Sequence, residues 1–507
     1  MRLPIPDRLN PRAMLIFILV LFVAQQLEGT DFVFSMLTAL YIALWTLAFN
    51  VSGGLTYPSG SFIFFNGLFS SVFGEFLKVF FVEPGERNLP DANGTMVCYC
   101  IGMAMMAVAA TFARGFRPAR GLLTGFDTLA AIKQASIACL VFGFLLYITG
   151  GSNTSSSGSV VTALRQLNRF PQMAIMLATS YEIARSRGKR SANWIVYLSV
   201  GFTFSVGLLQ FSKGGILVGF TAWGVTAILL GYNFSKTQII SAALGGFFMV
   251  YYLTPYSQYV RVYQVSSKTE NIATAIKYLS NLNETRRLYL ELIENYSIGD
   301  EPHMFDKRQA FLDRLIVMPA DAALINYTDK GNIYGLAPTI AAYANIVPHF
   351  IWHDKSSVNA GNQYGRELGE IADDDYTTGI SFSPTADAYH QAGWLGLLLL
   401  LPIDMFIYFM ICDSLVGSAK YTPWPLIMVL DAAQTAPDGL LDGAIYMATF
   451  GALSVVFIYA VVKYVVPFLL DVVRRKPPPT FNATPAPVLS PRFRGQLPAT
   501  NTGNVIS

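Results

Sequence analysis

Asp387 and His390 stand three residues apart in the stretch Ser381-Phe-Ser-Pro-Thr-Ala-Asp-Ala-Tyr-His-Gln-Ala-Gly393, which runs into an apolar segment through Trp394, Leu395 and Gly396. On a helix that spacing puts both side chains on one face, with Tyr389 beside them. A carboxylate or imidazole at the edge of a low-dielectric region is suited to act as a general base, activating a hydroxyl for attack. The plainer alternative is an acid in the first turn of a helix, complementing its dipole. His349 and His353 flank Trp352 at a four-residue spacing that also suits a metal pair, but no third ligand accompanies them, so a structural or substrate-contacting role is expected.

A second set of residues has the chemistry to meet phosphate oxygens. Lys213 lies in the turn Phe211-Ser-Lys-Gly-Gly-Ile-Leu217, where two glycines permit a sharp reversal. Arg261, Lys307, Arg308 and Arg314 follow it, and Arg165 and Arg169 precede it. Guanidinium forks bind phosphate and pyrophosphate without a metal. Taken singly, each cation is as readily a solvated ion-pair partner or a lysine snorkelling from a helix end.

These residues concentrate in one polar segment. Residues 256–391 hold all four histidines, His303, His349, His353 and His390, and 17 of the 32 acidic residues lie between Glu270 and Asp387. Around that segment the chain reads as membrane: 53% hydrophobic, 13% charged, mean hydropathy +0.43. A crossing helix needs roughly 20 apolar residues. On that rule the spans expected are 13–28, 32–50, 61–82, 95–113, 134–150, 170–184, 193–211, 214–232, 237–255, 392–411, 421–436 and 444–470, about twelve in all. The fold class expected is therefore an all-α polytopic membrane protein. Residues 1–255 carry spans one to nine, 256–391 form a large extracytoplasmic helical loop, 392–470 carry the last three spans, and 471–507 form a disordered tail.

Orientation follows from the basic clusters. Arg114, Arg117 and Arg120 form one, Arg185, Arg187, Lys189 and Arg190 a second, and Arg474, Arg475 and Lys476 a third. With both termini cytoplasmic, alternation places all three inside. It sends 83–91, 151–159, 212–214 and the long loop outside. The run 421–436 contains Pro423, Pro425 and Asp431 and reads as a broken or re-entrant helix. The first apolar run follows Arg2, Arg8 and Arg12 without a cleavage pattern and reads as a retained span. Cys98, Cys100, Cys139 and Cys412 lie in or beside apolar segments, which supports neither a disulfide framework nor a cysteine zinc site, and nothing points to nucleic acid.

Inside the loop, Ile272, Ile276, Leu279 and Leu282 recur at helical spacing, as do Phe311, Leu312 and Leu315. At least two amphipathic helices packed on the outer ends of the spans are expected. The segment 335–352, punctuated by Pro338 and Pro348, reads as interfacial or re-entrant.

Two stretches then resemble a known family. Ile346-Val-Pro-His-Phe-Ile-Trp-His-Asp-Lys355, followed by Gly361-Asn-Gln-Tyr-Gly365, resembles the Pro-Arg-x-x-Trp-x-x-Lys region of Wzy-type O-antigen and exopolysaccharide repeat-unit polymerases. Ser383-Pro-Thr-Ala-Asp-Ala-Tyr-His-Gln-Ala-Gly393 resembles their Pro-Thr-x-x-Glu-x-Tyr segment. The span count, the loop between spans nine and ten, and the Ser-Lys-Gly-Gly turn are similar too, also to the related O-antigen ligases. By position Lys213 stands where the ligases have a phosphate-binding Arg, Asp387 where the polymerases have Glu, and His349 where the pattern has Arg. The ligases' His-Asn pair is missing, which favours polymerase.

The resemblance implies a GT-C-like, metal-independent and cofactor-free glycosyltransferase of the bacterial inner membrane. It would transfer an undecaprenyl-pyrophosphate-linked oligosaccharide onto the acceptor sugar of another lipid-linked repeat at the outer face. Asp387, or else His390, would deprotonate the acceptor hydroxyl. Lys213, Arg165, Arg261, Arg308 and Arg314 would bind the pyrophosphate, and Tyr389, Trp352, His349 and Lys355 the acceptor. Membrane lipids and a chain-length-regulating membrane protein are the partners implied. The alternatives are a ligase-type transferase or a lipid-linked oligosaccharide flippase. A flippase is expected to carry charges within its spans, often with internal repeats, and neither is visible in the sequence.

Overall fold

The computed structural model describes residues 7–125, 128–149, 167–263, 268–295, 303–307, 312–347, 351–352, 358–376 and 378–467. Their regular structure is helical, with two isolated bridges and no strand among the described residues. In chain order the helices are α1 (Pro11–Leu27), α2 (Phe32–Ser52), α3 (Pro58–Phe81), α4 (Ala92–Ala113), α5 (Leu129–Thr149), α6 (Phe170–Arg185), α7 (Trp194–Leu209), α8 (Lys213–Leu229) and α9 (Lys236–Arg261). The loop contributes α10 (Lys268–Leu279), α11 (Leu282–Asn295), α12 (Met318–Asp329), α13 (Ala337–Ala344) and α14 (Ala360–Glu367). The chain then re-enters the bundle as α15 (Pro384–Val416), α16 (Pro425–Thr435) and α17 (Leu440–Val465).

Seven of these, α2, α3, α4, α5, α9, α15 and α17, are long and apolar enough to cross a membrane, and α1, α7 and α8 are shorter apolar helices. The chain is a helical membrane protein. α16 has 11 residues, about 16 Å of helix, against a hydrocarbon core of about 30 Å. It is buried along most of its length, which fits the broken helix expected there.

Local chemistry sets where the helices begin. Asp31 caps α2, Asn193 caps α7, Ser212 caps α8 and Ser383 caps α15, each accepting a backbone N–H of the first turn. The Ser-Lys-Gly-Gly turn is thus a helix start, with Lys213 as the first residue of α8. The main core lies where α2 packs on α4 and α4 on α15, while α5 with α6 and α7 with α8 form adjoining pairs.

The two ends of the bundle differ. At one, Arg87 pairs with Asp306 at 3.0 Å, tying the α3–α4 connection to the long loop. Tyr256 at the far end of α9 meets Phe211, two residues before Lys213. The loops sent outside by the sequence, apart from 151–159, which lies outside the described residues, therefore gather at a single end. At the opposite end Arg117 donates to the carbonyl of Ser52, Arg120 bridges to Gly417, and Lys420 pairs with Asp7.

The loop departs from expectation in three ways. α9 runs on to Arg261, so that residue ends a helix rather than opening the loop. The pair α10 and α11 packs on the ends of α7 and α9, but Phe311 lies outside the described residues and Leu315 ends a single 3₁₀ turn, Asp313–Leu315, not an amphipathic helix. Third, α12 is not a surface helix: Met318, Asp321, Ala322, Leu324, Ile325 and Thr328 are buried against α4 and α15. Charges also lie within the spans, contrary to the reading that they crowd into the loop. Glu75, Lys78, Asp404 and Asp413 are all buried.

Candidate functional site

The site is built on two helices lying side by side in the same direction. Asp321 of α12 accepts from the Ser383 N–H at 2.9 Å, and Thr328, seven residues on, meets His390, seven residues beyond Ser383, at 2.8 Å. A constant offset of 62 residues along both helices is the signature of a parallel pair. Tyr389 adds a bond to Asp329.

α15 is interrupted just after this pairing. Ala392 (φ −148°, ψ 22°) and Gly393 (φ 58°, ψ −140°) leave helical geometry, the second in a region that only glycine occupies without strain. The carbonyls of His390 and Gln391, released by the break, accept the N–H groups of Tyr334 at 2.9 Å and Gly335 at 3.1 Å. The segment that sequence reading treated as the loop's exit is thus a short polar helix clamped between α12, α14 and α17.

Asp387 is the central tie of that clamp. It is 1% exposed. Its Oδ1 accepts from the Tyr364 hydroxyl at 2.8 Å and the Gln391 amide at 2.9 Å, and its Oδ2 accepts the Leu441 N–H at 2.8 Å, satisfying an open donor in the first turn of α17. Burial pushes the Tyr364 phenol up, keeping it a neutral donor. His390 is fully buried, its Nδ1 on Thr328 and its Nε2 on Glu367 at 3.3 Å, with the Tyr364 ring edge-on at 4.6 Å. A proton sits in the Nε2–Glu367 contact, since an imidazole nitrogen and a carboxylate both lacking one would repel. Burial raises Glu367, which favours sharing that proton.

Beyond Asp387 lies a cavity of about 120 Å³ between α13, the start of α14 and the first turns of α17, lined by Pro338, Ala342, Asn345, Asp442, Tyr446 and Thr449 among others. Asp442 is exposed into it, and Asp387 is its electrostatic neighbour. Tyr343 of α13 donates to the buried Asp404 at 2.5 Å, fixing α13 against α15. Two cations adjoin this region. Arg169 pairs with the buried Asp431 of α16 and hydrogen-bonds Tyr446, while Lys213 lies within electrostatic reach of Asp438, itself bonded to Ser381. Burial raises Asp438, and Lys213 moderates the rise.

Of the residues singled out by sequence, Asp387, His390, Tyr389 and Lys213 are therefore gathered at this end of the bundle. Arg261 is exposed at the end of α9, beside α10 and α11, and Trp352 is 48% exposed. Arg165, Arg308, His349 and Lys355 lie outside the described residues, as does the side chain of Arg314. Sequence reading missed Asp321, Glu367, Asp442 and Tyr364. For Tyr364 the signal was present in Gly361-Asn-Gln-Tyr-Gly365; for the acids there was none, because they sit among many others. Among the described residues no group of three or more His, Cys, Asp or Glu side chains is arranged to hold a metal. Compared with models of protein families, with curated proteins and with solved structures, the chain matches none.

Proposed function

We propose that the chain is a glycosyltransferase that extends a polysaccharide from undecaprenyl-pyrophosphate-linked repeat units at the outer face of a bacterial inner membrane. The observation that carries this reading is the convergence of a dense polar network and a cavity at the loop end of an apolar bundle. Buried ionisable groups in a membrane protein are costly and mark function more often than scaffolding. Here the buried Asp387, His390, Asp321 and Asp404 are held by specific partners, and a cavity lined by Asp442 and Tyr446 adjoins them, with Arg169 bonded to Tyr446 and Lys213 within electrostatic reach of Asp438.

In this reading the acceptor sugar enters the cavity, its hydroxyl attacks the anomeric carbon of the donor, and the pyrophosphate departs toward Lys213 and Arg169. Fixed cations stabilise charge that develops on the leaving group. Twelve spans, a GT-C-like arrangement and cytoplasmic termini belong to the same proposal, with α6 and α16 supplying spans that are short of full length. Asp387 acts as the tie that fixes the cavity wall, because a hydroxyl would have to displace one of its three bonds to reach it. Purified protein given lipid-linked repeat units should produce a ladder of polymers. Failure to join any two repeats would overturn the proposal.

A flippase keeps one observation in its favour, the charges buried within the spans, Glu75 and Lys78 of α3 and Asp404 and Asp413 of α15, of which Asp404 accepts from Tyr343 and Asp413 from Ser59. Lys78, however, donates to the carbonyls of Gly85 and Arg87, and Glu75 accepts from Gln25 at 2.9 Å, so both tie α3 to its surroundings.

A further inference from the structure

We propose that Asp442 is the general base of the transfer and that Asp387 is the positioning residue that sets it; this rests on reading the cavity as the glycosyl-transfer site. Among the described residues that line the cavity Asp442 is the acid, and it is exposed, whereas Asp387 is sealed. The two are linked through one residue of backbone: Asp387 Oδ2 holds the Leu441 N–H at 2.8 Å, and Asp442 follows directly. The direction of the Asp442 side chain is thus fixed by a bond that reaches from the loop's exit helix to the first turn of α17.

The surroundings suit a sugar hydroxyl. Asn345, just after α13, and Thr449, on α17, line the cavity from its two sides, the Thr449 hydroxyl donating to the Ile445 carbonyl at 2.7 Å and so able to accept, and Tyr446 connects the α17 side to Arg169. An acid in the first turn of a helix also simply complements the dipole. The two roles are compatible, and only a kinetic readout separates them. In the step itself the acceptor O–H breaks and its proton passes to the Asp442 carboxylate. The hydroxyl oxygen bonds the anomeric carbon as the bond from that carbon to the phosphate oxygen breaks, and the electron pair leaves with the pyrophosphate.

The test is the pH profile of polymerisation by purified protein with lipid-linked repeat units. Wild-type rates should fall on the acid side as the base is protonated. Asp442→Asn should lower kcat by about 100-fold or more, the usual worth of a general base, abolish that acid limb, and leave KM within about threefold. Asp442→Glu should recover part of the rate. Asp387→Asn should slow the reaction but keep the limb, because the base is still present though misplaced. An Asp442→Asn protein with wild-type rate and an intact limb would overturn the assignment while leaving the transferase reading standing. If that variant fails to fold, carbodiimide labelling of the wild type decides: modification of Asp442 should track loss of activity and be blocked by lipid-linked substrate, and a modified, fully active protein would overturn the assignment. Wild-type protein that joins no repeats sinks the transferase reading, and this assignment with it.

Discussion

Two buried aspartates, Asp321 and Asp387, each accept a tyrosine hydroxyl and a backbone N–H, but they differ in what neutralisation would do. Asp321 accepts from Tyr99 at 2.6 Å and from Ser383, and burial raises its carboxyl to about 7 from 3.8. Because the folded value lies above the unfolded one, the folded state holds the proton more tightly. Stability from this group is full below about 3.8, falls as pH rises toward 7, and is flat above. Asn fits here, since its oxygen keeps the Ser383 bond and its amide donates to the Tyr99 oxygen. Asp321→Asn is therefore expected to stabilise the protein at pH 8 by something on the order of 2 kcal/mol, with the gain shrinking toward pH 5. Thermal unfolding in detergent at the two pH values checks this; a loss of stability at pH 8 would contradict it. Asp387 has no such freedom, because in either orientation an amide nitrogen would face a donor, the Leu441 N–H at Oδ2 or the Gln391 amide at Oδ1. Nothing in the sequence separates Asp321 from the other acids near it, and the spacing that singled out Asp387 gave no sign of its burial, since burial is decided by which helices meet.

At the scale of elements, the interruption of α15 decides the geometry. Gly393 combines φ 58° with ψ −140°, and the space beside it is open, its nearest neighbour on adding a methyl being Ile333 at 3.7 Å. Gly393→Ala would therefore be destabilising through backbone strain alone, by about 1–3 kcal/mol. Hydrogen exchange should show the Tyr334 and Gly335 amides losing protection, since they bond the carbonyls freed by the break. Unchanged protection would mean that the interruption does not hold this junction. The sequence made the entry of this span legible, through the apolar run from Trp394, and the helical spacing of Asp387 and His390. It hid the break, because glycine is common in such helices, and it hid α12, whose single acid in Met318-Pro-Ala-Asp-Ala-Ala-Leu-Ile325 gives no sign of burial. The spacing of Phe311, Leu312 and Leu315 misled because three apolar residues are too few to define a helix face.

Across the whole molecule, hydrophobic runs identified the bundle well, since burial in lipid and burial in protein call for the same residues. They are poorer at length: α16 and the shorter apolar helices are partly shielded by neighbours and need not meet the full thickness alone. Sidedness rests on the basic clusters and is open to direct test. All four cysteines are buried, so single cysteines introduced at exposed positions report cleanly. Ile276→Cys on α10 should react with a membrane-impermeant maleimide in intact cells, and Lys189→Cys in the α6–α7 connection only after permeabilisation. The reverse pattern would invert the topology and move the cavity to the cytoplasmic face. Whether the buried network serves bond formation or passage is decided by one measurement: purified protein in liposomes, supplied with labelled lipid-linked repeat units, followed at once for polymer size and for leaflet distribution. A ladder of polymers growing with time is the result predicted, and label that changes leaflet with no new glycosidic bond is the result that would contradict it.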